Sequence, residues 1–196
     1  MIGEIVVDPW RFQLHLEIWL LIAALVTSYI YVVRVLGPRA VPVGQVVVSR
    51  RQLTCFILGI AMMWFASDWP MHDIAEEYLY SVHMFQHMSL TYFMPPLLVL
   101  AIPEWFIRTL VGEGSAYRAL RFMCHPVRAA LLFNVGVMVS HIPGVVNASV
   151  SNGPLHYTVH ILLVLSSMLM WMPVCGPIKE FHITPMSKMI YLFLNS

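Results

Sequence analysis

Residues Ser81–Pro103 read SVHMFQHMSLTYFMPPLLVLAIP. Two His-Met pairs stand four residues apart, and an apolar run broken by Pro95-Pro96 follows. Few environments accept both halves. A helix needs about 20 apolar residues to cross the hydrocarbon of a bilayer. Ionisable residues inside such a span are rare and usually face the bundle interior. The stretch therefore reads as a membrane span whose first half carries a polar face, with the proline pair kinking or breaking the helix.

The rest of the chain agrees. Its 196 residues are 59% hydrophobic and 11% charged, with a mean hydropathy of +0.75. A soluble domain is about 25% charged. One small core cannot hide so much apolar surface. The net charge is +1 and no Lys/Arg-rich run exists, which argues against a nucleic-acid partner. Apolar spans fit at about residues 18–35, 53–69, 78–102, 129–146 and 157–175, with a partial sixth from Met189. The expected fold is all-α: a polytopic transmembrane helical bundle, one domain over residues 1–196, with five full spans plus a truncated sixth. The first residues carry Glu4, Asp8 and Glu17 against Arg11. A signal peptide wants a basic start, so none is expected here.

Lys and Arg set the orientation. Arg34, Arg39, Arg50 and Arg51 follow the first span; Arg108, Arg118, Arg121 and Arg128 follow the third; Lys179 and Lys188 follow the fifth. Ten of the eleven basic residues thus fall on alternate loops. Those loops are expected in the cytoplasm and the N-terminus outside. The loop after the second span is acidic, with Asp68, Asp73, Glu76 and Glu77, and the loop after the fourth, NASVSNGP, is uncharged. Cys55, Cys124 and Cys175 then lie at the cytoplasmic side, where thiols stay reduced, so no disulfide is expected.

This topology gathers seven of the nine histidines at the outer face: His15, His72, His83, His87, His141, His156 and His160. His83 and His87 share one helix face, with Cβ atoms about 6 Å apart. His156 and His160 repeat the spacing. Met84 and Met88 form a parallel stripe turned by about 100°. Neutral imidazole binds late first-row metals and haem iron, and thioether favours Cu(I). The expected site is a transient Cu(I) site of His83, His87, His141, His156 and His160 with Met84 and Met88. Asp68, His72, Asp73, Glu76 and Glu77 would concentrate cations at its entrance. Plainer roles stand beside this one. Methionine fills gaps in membrane cores. An isolated outer histidine such as His15 or His72 is usually solvated. Histidine also simply bonds across helices.

Two longer stretches resemble a known family. FASDWPMHDIAEEYLYSVHMFQHMSLTYFMPPLLVLAIP (residues 65–103) is similar to the first signature of the CtaG family of cytochrome c oxidase assembly factors. It has an aspartate-containing outer loop, a His-Met-x-x-His-Met helix and a proline-broken apolar run. SHIPGVVNASVSNGPLHYTVHILLVLSSMLMWMPVCGP (residues 140–177) resembles the second, with His-x-Pro, a short loop and a His-x-x-x-His helix that ends in Trp-x-Pro. The resemblance covers about residues 55 to 177. It implies a multi-pass protein of the bacterial plasma membrane that helps mature a haem-copper oxidase. Its motif positions fall on His83, Met84, His87, Met88, His141, His156 and His160. Polar Ser89 and Thr91 depart from the family's apolar pattern, and family members continue past the position of Ser196.

The first reading is a non-enzymatic factor that holds copper and passes it to oxidase subunits. A b-type membrane cytochrome would instead take axial ligands from facing helices, such as His87 with His141 or His160. A copper permease would want ligands through the membrane, whereas the inner halves hold Met94, Met168, Met170 and Met172 but no histidine. A scaffold that only stabilises an oxidase subunit is not separable from a carrier by sequence. The oligomeric state is open.

Overall fold

The computed structural model describes residues 14–77 and 79–195, without the side chains of Glu76, Glu77 and Val150. The reading of residues 1–13, the start of the third span at Tyr78, and the two glutamates of the proposed entrance lie outside the described residues. Every regular element among those described is helical. In chain order they are α1 Leu16–Ala40, α2 Arg50–Ser67, α3 Met71–Glu77, α4 Tyr80–Ala101, α5 Glu104–Val111, α6 Ser115–Met123, α7 Pro126–Ser140, α8 Pro143–Ser151, α9 Gly153–Cys175 and α10 Pro185–Leu194.

Local chemistry sets the starts. Ser49 and Gln52 form a reciprocal capping box ahead of α2. The Asn152 side chain accepts from the Leu155 N–H at the start of α9, and Thr184 does the same for Ser187 at the start of α10. Pro126, Pro143, Pro154 and Pro185 stand in first turns, where a missing N–H costs nothing.

Two helices, α1 and α9, are long and apolar enough to cross a membrane. The count rises to four if each of two bent pairs forms one span: α4 with α5 (84°) and α6 with α7 (65°). Helix α2 opens on Arg50-Arg51-Gln52 and is not among them. Helix α7 has only 15 residues, about 22 Å at 1.5 Å each, so it relies on α6 for length. Two expected loops are helical instead. The acidic loop contains α3, and the uncharged NASVSNGP segment is largely α8, because proline at its first turn and alanine, valine and serine within it allow a short helix.

Helices α2, α4, α7 and α9 pack together at the centre. Met63 and Ala66 of α2 meet Leu90 and Met94 of α4 in one buried cluster, with Ile22 and Leu25 of α1 against it. Gly59 lets α2 approach α4 closely: a Cβ there would lie 2.7 Å from a Leu98 methyl. Phe133, Met170 and Tyr191 form a second cluster between α7, α9 and α10. Helix α1 lies outermost, held by the Tyr29–Phe56 ring stack at 3.8 Å and the Trp19–Trp64 edge contact at 5.8 Å.

Helix α4 widens to a π turn over Ser89–Phe93, immediately after the His-Met pairs. The cause follows in the sequence. Pro95 has no N–H to offer the Thr91 carbonyl four residues back. The Met94 N–H reaches back five residues to Ser89 instead. The freed Thr91 carbonyl accepts from the Ser167 hydroxyl of α9, a buried bond between the two helices. The polar residues that follow the His-Met pairs are thus part of the packing: Ser89 and Thr91 are buried, and Thr91 also donates to the His87 carbonyl at 2.6 Å.

Candidate functional site

The π turn fixes how α4 presents the turns before it to α9. His83 and His87 lie on the α4 face toward α9, and His156 and His160 lie on the first turns of α9. Their rings form one row. His156 and His160 are 4.5 Å apart, His160 and His87 are 4.6 Å apart, and His87 and His83 are 4.5 Å apart, all between centroids. His141, just past the end of α7, stands 6.0 Å from His87. Five histidines, two from α4, two from α9 and one just past α7, therefore meet at one end of the bundle.

Hydrogen bonds fix parts of the row. The His141 Nδ1–H donates to the Val137 carbonyl at 2.7 Å, which leaves Nε2 as the ring's acceptor. The Ser149 hydroxyl of α8 pairs with His156 Nδ1 at 3.3 Å. The Nε2 atoms of His83 and His87 are 2.9 Å apart, so one carries a proton and the other accepts it. His87 and His160 stack face to face at 25°. Imidazole lone pairs lie in the ring plane, so this stack does not aim two ligands at one iron between them. That geometry speaks against His87 and His160 as paired axial ligands of a haem.

The fit to a metal is partial. Among the described residues no group of three or more His, Cys, Asp or Glu side chains is disposed around a single metal position. The row is closed on itself: the paired His83 and His87 nitrogens hold a proton where a metal would sit. The methionine stripe contributes less than its spacing suggests. Met84 is half-buried, and Met88 is 49% exposed on the flank of α4. The donors that the fold brings together are imidazoles.

A second polar cluster lies beside the first, where the acidic entrance is expected. Asp68, just past α2, accepts from the Trp64 indole N–H at 2.8 Å. Asp73 of α3 accepts from His15 Nε2 at 2.8 Å. The His15 and His72 rings meet edge to face at 4.8 Å. Gln86 of α4 donates from Nε2 to the Ala66 carbonyl at 2.7 Å and to His72 Nδ1 at 3.0 Å. Asp68, Asp73 and Gln86 are all buried. His15 and His72 are therefore bonded members of a cluster and not the solvated residues expected from their isolation in the sequence. Gln86 is a member that the His-Met spacing does not single out. The signal was its position, a polar side chain between His83 and His87 inside an apolar span, which is a functional candidate by default.

Comparison with known proteins adds one finding. No curated protein and no solved structure matches the chain. The model of the cytochrome c oxidase caa3 assembly factor family (Caa3_CtaG) matches residues 16–196, nearly the whole chain and both regions that build the histidine row. On that match, the chain belongs to the family of cytochrome c oxidase caa3 assembly factors.

Proposed function

We propose that the chain is a non-enzymatic assembly factor of the bacterial plasma membrane that holds copper at the histidine row and hands it to an oxidase subunit. In this reading the chain makes five spans and part of a sixth, with its N-terminus and the row on the outer face. The distribution of Lys and Arg supports that orientation. The family supports an oxidase as partner.

The observation that carries the copper reading is the unbroken row His156–His160–His87–His83 across two facing helices. Imidazole suits copper among the late first-row metals. The closed state of the row favours transfer over storage. To bind copper, the ring that carries the proton between His83 and His87 would move it to its own Nδ1, and the two Nε2 atoms, now 2.9 Å apart, would part. Re-forming that contact helps release the metal. A carrier needs this moderated affinity. Met84 and Met88 would serve as accessory ligands at the edge of the row.

The test is bound metal and visible spectrum on full-length protein purified in mild detergent under reducing conditions, beside a His83→Ala/His87→Ala form. The expected result is copper in the parent and at least a tenfold loss in the double variant, with copper-dependent loss of oxidase activity in cells. Normal, copper-replete oxidase in cells carrying the double variant would sink the reading. A Soret band would turn it toward a b-type cytochrome, and copper uptake by vesicles toward a permease.

A further inference from the structure

The cluster around Asp73 contains three groups with two polar arms each. In every one, a donor or acceptor within the protein holds one arm. Asp68 gives Oδ2 to Trp64, Asp73 gives Oδ1 to His15, and Gln86 commits Nε2 to Ala66 and His72. The other arm is in each case an oxygen: Asp68 Oδ1, Asp73 Oδ2 and Gln86 Oε1. All three oxygens are buried without a hydrogen-bond partner. The residues are 5%, 6% and 2% exposed. Buried acceptors are almost always satisfied, so three in one cluster call for a partner, either a donor such as water or a cation.

Their surroundings say what that is. The cluster spans one corner of the fold. The Asp68 carbonyl accepts from the His72 N–H at 3.1 Å, and His72 in turn touches Gln86 at 3.0 Å. No Lys or Arg occurs between positions 52 and 107. Among the described residues, His15 is the ion-pair partner of Asp73, and Asp68 has none. Water would satisfy the oxygens but leave the Asp68 carboxylate without a counter-charge. The open donors are carboxylate and amide oxygens, a hard set that suits Ca²⁺, Mg²⁺ or Mn²⁺ better than copper.

We propose that Asp68, Asp73 and Gln86 form a binding site for a hard divalent cation, separate from the histidine row and taking the remaining ligands from water. The ion fastens the end of α2, α3 and α4 to one another. Gln86 is the residue before His87, so the ion also steadies the turn of α4 that carries the row.

The experiment uses the full chain in mild detergent, stripped with a chelator and titrated with Mn²⁺ while free Mn²⁺ is followed by its EPR signal. The expected result is one Mn²⁺ per chain, displaced by Ca²⁺, and a thermal midpoint that rises in Ca²⁺. His83→Ala/His87→Ala should keep this binding. Asp68→Asn and Asp73→Asn should each weaken it at least tenfold. Asp68 has no ion-pair partner among the described residues, so stripped Asp68→Asn should melt no lower than the stripped parent, whereas Asp73→Asn also gives up the His15 pair and should melt lower. No Mn²⁺ binding beyond that of detergent and lipid alone would overturn the proposal. Loss of binding in the His83→Ala/His87→Ala form would also overturn it, by placing the ion in the row. Both of those readouts stand even if an asparagine variant fails to fold.

Discussion

At the scale of single residues, the chain shows how one missing N–H is absorbed. Pro95 frees the Thr91 carbonyl, and the Ser167 hydroxyl takes it over. Ser167 is fully buried, so its removal leaves a carbonyl with no donor in an apolar interior. Such an orphan costs about 1–3 kcal/mol. Ser167→Ala should therefore lower stability by about that much, as measured by thermal unfolding in detergent. The double variant gives a sharper test. Pro95→Ala returns an N–H to the chain four residues after Thr91, so Ser167→Ala should cost less in that background. Equal costs in both backgrounds would show that the hydroxyl bond does not answer the proline. The coupling matters for function because this bond sets α4 against α9, and those two helices carry the row of four rings.

At the scale of elements, the α2–α4 contact depends on the absence of a side chain. A Cβ at Gly59 would approach a Leu98 methyl to 2.7 Å. Leu98 is flexible at that end, so Gly59→Ala should be tolerated with a small shift, whereas the branched side chain of Gly59→Val must push the helices apart. Overpacking of this kind costs about 1–3 kcal/mol. A drop in thermal midpoint for valine but not for alanine is the expected pattern, and identical midpoints would mean that the helices are free to separate. The sequence shows why elements were unequally legible. Helices α1, α2, α4 and α9 announce themselves as apolar runs, and their ends fall within five residues of the expected bounds. Helices α3 and α8 do not, because each is short and bounded by residues typical of loops. The histidine row was legible because two i,i+4 pairs fix their own faces. The Asp73 cluster was legible only in part: Asp68, His72 and Asp73 stand within six positions and were grouped at the entrance, but His15 and Gln86 lie up to 71 positions apart and only packing joins them to it.

At the scale of the whole molecule, the decisive property is sidedness. The histidine row and the Asp73 cluster both lie at the end of the bundle formed by the start of α4 and the start of α9. The opposite end carries the bases, and there Arg108 bridges Glu104 at 2.8 Å and Glu180 at 2.6 Å. The Arg108 guanidinium holds the Glu180 carboxyl below its ordinary value, so this link is present at neutral pH and is lost as pH falls through that lowered value. It ties α5 to the turn at Lys179–Phe181 and so braces the basic end alone. If the bases face the cytoplasm, the histidines face outward, and single cysteines placed at each end will report it. In a form with Cys55, Cys124 and Cys175 replaced by alanine, Asn152→Cys sits at the start of α9 beside the row, and Arg118→Cys sits on exposed α6. In intact cells freed of their outer wall, a membrane-impermeant thiol reagent should label position 152 and spare position 118. Inside-out vesicles should reverse the pattern. The opposite labelling would put the row in the cytoplasm, where copper would have to reach it from inside, and delivery at the outer face would then have no route.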